Sequence, residues 1–263
     1  METPTGLPCW YELATADLAA AGTFYAAVFD WQIADSGMTD FTYHLASRAG
    51  HGVAGLMSTA GQPQAAAPAW VVYFTTASVD DSVAVVTAAG GQVYAAPADI
   101  PGTGRFAIVA DPLGATFGLL APLPMESTGD EPMVSAYDQS RPGHGNWHEL
   151  TTSDPERAMS FYEKLFGWRR TTAMDMGADG VYQLFAAAEG GDLGGMMGLM
   201  GRPAPSWLPY FGTDGVTETM ARIEAGGGAI QHGPHEVPGG AFIAIATDPQ
   251  GASFAVVGPR QLG

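Results

Sequence analysis

Residues 10–31 read WYELATADLAAAGTFYAAVFDW, and residues 147–168 read WHELTTSDPERAMSFYEKLFGW. At an offset of 137, Trp10, Glu12, Leu13, Thr15, Asp17, Phe24, Tyr25, Phe29 and Trp31 meet identical residues. The same offset aligns AWVVYFTTASVDDSVAVVTAAGG (69–91) with SWLPYFGTDGVTETMARIEAGGG (206–228), and VADPLGATFGLL (109–120) with ATDPQGASFAVV (246–257). One offset serving three separated blocks establishes a tandem duplication. The stretch 122–143, rich in Pro, Ser, Gly and acid and without hydrophobic period, reads as an exposed linker. Domains at 1–122 and 143–263 are expected, with 123–142 between them.

Each repeat carries the same order of elements. An alternating strand (10–15) leads into a helix opened by Asp17, whose carboxylate suits an N-cap. Strands near 41–47 and 52–57 follow. A second unit begins with strand 70–75 and a helix over 79–89 that is stopped by Gly90–Gly91. Strands near 92–95, 105–110 and 115–120 complete it, with Asp-Pro-Leu-Gly (111–114) as the turn. Single helices among several short strands indicate an α+β class.

Composition narrows the partners. The net charge of −17 reflects only 10 Lys and Arg against 27 Asp and Glu. Such a surface repels phosphate backbones and anionic lipid, so neither nucleic acid nor a membrane is an expected partner. The single cysteine, Cys9, excludes an intrachain disulfide and suits a reducing compartment. No apolar run is long enough to span a bilayer, and the first residues do not read as a signal peptide. A soluble cytoplasmic protein with a small-molecule partner is the expectation, as monomer or homodimer.

The pattern of strand, Asp, helix ending Phe-Tyr…Phe-x-Trp, and later Asp-Pro-x-Gly-Ala before a last strand resembles the vicinal oxygen chelate superfamily. That group contains glyoxalase I, extradiol dioxygenases and bleomycin-resistance proteins. More narrowly, W-x-E-L, Y-F and DPxGAxF in two domains look like the actinobacterial antigen-type glyoxalase-like proteins, often labelled hydroxylases. The resemblance implies four βαβββ modules forming two cup-shaped sheets, each cup around a ligand cavity.

It also implies where a metal would sit. Metal-using members place His or Gln in the first strand, seven residues before the Asp, where this chain has Trp10 and Trp147. They place Glu in the final strand, seven residues after the Asp of Asp-Pro-x-Gly, where this chain has Gly118 and Ala255. The fifth-strand position falls near Val71 and Leu208. None of these side chains is a metal donor of the required kind. No metal and no cofactor are therefore expected. His232, His235 and Glu236 in HGPHEVPGG read as surface groups on a loop.

Strand alternation supplies candidate site residues. With Trp10 facing the cavity, Glu12 and Ala14 face it too, while Tyr11, Leu13 and Thr15 face the helices. In the second repeat Trp147 and Glu149 face inward and His148 faces the helices. A carboxylate beside Trp in an apolar cup loses hydration, so its pKa is expected to rise. Glu12 and Glu149 are thus the candidate acid/base residues, weighed against backbone anchoring. Trp10, Trp147, Tyr73 and Tyr210 are the candidate ligand contacts. Phe24, Tyr25, Phe29 and Trp31 are expected in the core, and Asp111 and Asp248 in turns. Arg105 is a candidate to meet an anionic substrate, although its counterpart is Phe242. The Met-rich stretch 194–202 reads as a strand and loop that can wall a pocket. Three functions follow: metal-independent binding of an aromatic or apolar metabolite, cofactor-free catalysis through Glu12 or Glu149, and, disfavoured by the missing ligands, a metal-dependent lyase or dioxygenase.

Overall fold

The computed structural model describes residues 5–38, 41–61, 67–123 and 135–261. Four βαβββ modules follow one another. The first is β1 (Pro8–Thr15), α1 (Leu18–Phe29), β2 (Gln32–Asp35), β3 (Tyr43–Arg48) and β4 (His51–Ser58). The second is β5 (Ala69–Thr75), α2 (Val79–Ala88), β6 (Gln92–Ile100), β7 (Gly104–Ala110) and β8 (Thr116–Pro122). The third is β9 (Gly145–Thr152), α3 (Pro155–Phe166), β10 (Arg169–Asp175), β11 (Val181–Ala186) and β12 (Asp192–Gly198). The fourth is β13 (Ser206–Gly212), α4 (Val216–Ala225), β14 (Ala229–Glu236), β15 (Phe242–Thr247) and β16 (Ser253–Gly258). Strand order is β2-β3-β4-β1-β5-β8-β7-β6 in one eight-stranded sheet and β10-β11-β12-β9-β13-β16-β15-β14 in the other. Neither sheet is closed.

Local chemistry starts the helices where the residues suggest. Asp17 accepts from the Ala20 amide at 3.0 Å, Asp154 from Arg157 at 3.1 Å and Ser78 from Asp81 at 3.2 Å. Each satisfies an amide that the first helical turn leaves without an intrahelical acceptor. Gly90, at φ +90, turns the chain out of α2. Two strands were not read from the residues: β2 and β10 are largely exposed edge strands without alternating hydrophobicity. The HGPHE segment is a second correction. It lies on β14, not on a loop, with register shifts around His232 and His235, and both imidazoles are exposed. Of the linker, residues 124–134 lie outside the described residues; Tyr137 forms a parallel bridge to Gly145. No helix among the described residues is long and apolar enough to cross a membrane.

By contact density the chain divides into two compact units, and each draws on both repeats. One comprises Met1–Cys9, Val72–Met133 and His148–Trp207; the other comprises Trp10–Val71, Val134–Trp147 and Leu208–Gly263. The repeated aromatic motifs explain this division. In the second unit Tyr25 of α1 donates its hydroxyl to Asp248 of the Asp-Pro-Gln-Gly turn at 3.0 Å and accepts from Trp70 Nε1 at 2.9 Å. Phe24 and Phe29 pack edge-on against Phe254, and Trp31 against Phe211. In the other unit Tyr162 of α3 donates to Asp111 at 3.1 Å and accepts from Trp207 Nε1 at 3.0 Å. Asp111 and Asp248 still make their turns, each through one carboxylate oxygen that accepts two backbone amides. The other oxygen receives the tyrosine of the opposite repeat. A polar chain of Trp, Tyr and Asp is thereby fully bonded inside an aromatic core, as burial of such groups requires.

One buried hydroxyl departs from this economy. Thr152 Oγ1 has no hydrogen-bond partner, whereas its counterpart Thr15 bonds to the side chain of Gln250. The residue matching Gln250 in the other repeat is Leu113, which offers no acceptor. Leu113→Gln is expected to stabilise the protein by about 1 kcal/mol, the net worth of one buried hydrogen bond. Chemical denaturation reads the change; an unchanged midpoint would mean that Thr152 is satisfied otherwise.

Candidate functional site

Burial follows the expected alternation only in part, because Glu12 in β1 and Glu149 and Thr151 in β9, all on the face expected to be open, are buried too. Tyr11, Leu13 and Thr15 are fully buried, while Trp10 and Ala14 on the opposite face are half-buried. His148 is also fully buried, its Nδ1–H donating to the Leu193 carbonyl at 2.7 Å and its ring lying edge-on to Phe74. Burial depresses its pKa from 6.5 to about 4. The folded state therefore holds this imidazole neutral, while the unfolded chain takes up a proton once the pH falls below about 6.5. Stability from this residue is complete above pH 6.5 and declines down to about pH 4, a loss of about 3 kcal/mol. His148→Gln should flatten the stability profile over that window, measured by urea denaturation at several pH values. An unaltered slope would contradict this assignment.

On the open face of the first module, Glu12 lies beside Gly55 of β4, with which it is in register. Gly55 is bare for a reason. A Cβ there would stand 1.8 Å from the hydroxyl of Tyr43, whose ring lies over the glycine. Tyr43 accepts a hydrogen bond from Trp10 Nε1 at 2.9 Å and bonds to the Glu12 carboxylate. Burial, and then the neighbouring Glu12 charge, hold this phenol protonated well above the ordinary tyrosine range. Trp10, Tyr43 and Glu12 thus form one chain in which indole donates to phenol and phenol to carboxylate. Glu12 is only 8% exposed. Phe41 stacks edge-on to Tyr43 and is 48% exposed; Leu45, two residues beyond Tyr43, is 43% exposed. Phe41 and Leu45 thus stand exposed beside a buried, tethered carboxylate.

The third module repeats the glutamate, glycine and tyrosine of this arrangement. Glu149, 7% exposed, pairs in register with Gly195 of β12. A Cβ on Gly195 would stand 2.3 Å from the ring of Tyr182. Tyr182 approaches Glu149 Oε2 at 3.5 Å, and Arg202 Nη2 stands 3.7 Å from Oε1. Tyr43, Tyr182 and Arg202 were not singled out from the residues. The signal available was a glycine beside each glutamate with one tyrosine in the preceding strand.

Tyr73 is in register with Gly118, and a Cβ at Gly118 would stand 2.1 Å from the Tyr73 ring. Tyr210 is in register with Ala255; with Leu208 these form a buried cluster, and Trp147, Ile243, Ile245 and Val257 pack on it. Glu12 and Trp10 are thus joined through Tyr43, while Tyr73 and Tyr210 are deep in packed sheet faces. Arg105 is a correction: its guanidinium is engaged by Asp80 at 2.7 and 2.9 Å and by Asp99 at 2.9 Å, so it serves an exposed ion-pair network. The segment 194–202 does divide into strand β12 and a turn, with Met196 in the core.

Four βαβββ modules, with parallel pairing of β1 to β4, β5 to β8, β9 to β12 and β13 to β16, define the vicinal oxygen chelate architecture. The chain belongs to the Glyoxalase/Bleomycin resistance protein/Dioxygenase superfamily, whose sequence pattern matches residues 9–119 and 144–256. It is 31% identical over 258 residues to CFP32 of Mycobacterium tuberculosis, a protein named as a glyoxylase, covering 97% of this chain and 95% of the relative. It is also 31% identical over 271 residues to the anthracycline biosynthesis protein DnrV of Streptomyces peucetius, covering 97% and 94%. Among solved structures, the Mn(II)-bound glyoxalase of Novosphingobium aromaticivorans superposes with a TM-score of 0.64 at 16% identity, over 96% of this chain and 82% of that one. The 2,3-dioxygenase LapB of Pseudomonas sp. KL28 does so with 0.67 at 12% identity, over 100% and 96%.

The places where the family resemblance implies metal ligands hold residues that do not suit a divalent ion. At Gly118 the Tyr73 ring fills the space a ligand side chain would need, and Ala255 is embedded among Leu208, Tyr210 and their apolar neighbours. Trp10 commits the only polar atom of its side chain, an N–H that cannot coordinate, to Tyr43. Among the described residues, no three His, Cys, Asp or Glu side chains gather as a divalent ion would require.

Proposed function

We propose that this protein binds a small aromatic or apolar metabolite, without a metal, on the open faces built around Trp10, Tyr43 and Glu12 and around Tyr182 and Glu149. The observation that carries this reading is the first face itself. Phe41 and Leu45 lie exposed beside a carboxylate tethered through Tyr43 to Trp10. The exposed Phe41 ring and Leu45 beside one oriented polar anchor suit a flat, oxygenated ring, which gains burial against them and donates a hydrogen bond to the carboxylate. Anthracyclines, the products in the name of one relative, are molecules of that class. The charge of −17 supports the absence of nucleic-acid and anionic-membrane partners, and a cytoplasmic monomer or homodimer completes the reading.

The neutral catechol 2-(3,4-dihydroxyphenyl)ethanol is a suitable first probe, followed by calorimetry. Saturable binding is expected, weakened about tenfold in Trp10→Ala through lost ring contact. A Kd unmoved by Trp10→Ala and by Glu12→Gln would remove this face from the binding site. A second reading, cofactor-free catalysis with Glu12 or Glu149 as acid/base, draws support from the Tyr43–Glu12 hydrogen bond, which puts a proton beside a carboxylate. Turnover that vanishes in Glu12→Gln or Glu149→Gln while binding persists would favour it.

A further inference from the structure

The two glutamate-centred faces share Glu, Tyr and Gly at matching places, and the second also has an arginine, Arg202, paired with its glutamate. Arg202 enters from the turn after β12, where its amide bonds to the Leu199 carbonyl at 2.8 Å. Its side chain is 30% exposed, against 10% for that of Glu149. The arginine side chain is thus more open to solvent than the carboxylate it pairs with. The 3.7 Å separation is an ion pair too long for a strong hydrogen bond. Among the described residues the other ion-paired arginines are held closer: Arg48 by Asp214 at 3.1 Å, Arg105 at 2.7 Å, Arg141 at 3.2 Å and Arg170 at 2.7 Å. The first repeat carries no Lys or Arg between Arg48 and Arg105, so the corresponding loop supplies no such group.

From this placement, and resting on the binding reading above, we infer that Arg202 is a specificity-determining residue: the second-repeat face recognises the carboxylate of an aryl acid. A guanidinium presents five donors in a planar fork that matches a carboxylate with two parallel bonds. Glu149 holds the fork in place before the ligand arrives and balances its charge. The ligand's carboxylate then completes the coordination that a single 3.7 Å contact leaves loose.

Two probes of nearly equal shape test this: 3,4-dihydroxyphenylacetate and 2-(3,4-dihydroxyphenyl)ethanol, which differ in the carboxylate. Binding is read in the full chain by NMR of methionine methyl groups labelled with carbon-13. Met197 lies on β12 in register with Thr151, and Met57 lies on β4 in register with Ala14. They report the second and first faces respectively. At Met197 the acid is expected to bind about tenfold more tightly than the alcohol, the scale of one charge-assisted contact. R202Q should bring that ratio close to one and leave the alcohol's Kd within about twofold; R202K, which keeps the charge and loses the fork, should fall between. A ratio unchanged in R202Q and R202K, with the alcohol still binding, overturns the role of Arg202 and leaves the binding reading standing. Neither probe moving Met57 or Met197 overturns both.

Discussion

Asp248→Ala is expected to lower the unfolding free energy by about 3–5 kcal/mol, and Asp111→Ala by a similar amount. Each carboxylate is almost fully buried and does two jobs at once. One oxygen of Asp248 accepts the amides of Gln250 and Ala252, both at 2.9 Å. The other accepts the Tyr25 hydroxyl at 3.0 Å, and that hydroxyl in turn accepts from Trp70 Nε1 at 2.9 Å. Removing the carboxylate leaves a phenol and two amides facing an apolar core, and each stranded group costs its own desolvation. Tyr25→Phe is the milder control. It removes the donor and leaves Trp70 without its acceptor, so a cost of about 1–2 kcal/mol is expected. Because Asp248 and Tyr25 belong to one chain of bonds, the double variant should cost less than the sum of the singles. Urea denaturation of the four proteins provides the cycle. Simple additivity would mean the Tyr25–Asp248 bond contributes nothing beyond the turn.

Gly118→Glu is the second large effect. It restores the side chain that metal-using members are expected to carry at this place, and it should destabilise the protein by about 3–6 kcal/mol. A Cβ at residue 118 falls 2.1 Å from Cδ1 of Tyr73 and 2.3 Å from Cγ, so the ring must leave its position. The new carboxylate then enters a strand whose neighbours Phe117 and Leu119 are fully buried. Adding Mn(II) or Zn(II) to the variant should not raise its melting temperature, since one carboxylate without further donors is not a divalent site. Neutral stability, or a metal-dependent gain, would show that Tyr73 yields readily and that the place remains ready for coordination.

Much of the architecture was legible because it is written twice. Asp17 as a cap and the Gly90–Gly91 stop follow from local rules, and each matches the structure. The edge strands β2 and β10 escaped because nothing covers one of their faces, so no hydrophobic period marks them. Asp111 and Asp248 were legible only as turn residues. Their tyrosine partners lie 51 and 223 positions away, in the other repeat, and no local pattern encodes that. The site was half visible for a related reason. Glu12 and Trp10 stand out by strand period, but Tyr43 matches Tyr182 at an offset of 139, not 137, so small insertions hide the equivalence. Arg105 misled because charge near a strand end says nothing about which aspartates the fold will bring to it. Asp80 and Asp99 lie on separate elements and meet at its guanidinium.

The most direct test of metal-free binding is equilibrium dialysis of 2-(3,4-dihydroxyphenyl)ethanol against chelator-treated protein, repeated with Mn(II), Fe(II) and Zn(II) restored. Tryptophan and packed apolar side chains at the coordinating places predict the same Kd in every condition, with no metal retained after dialysis. Binding that appears only with a metal, together with about one tightly held ion per repeat, would contradict the account.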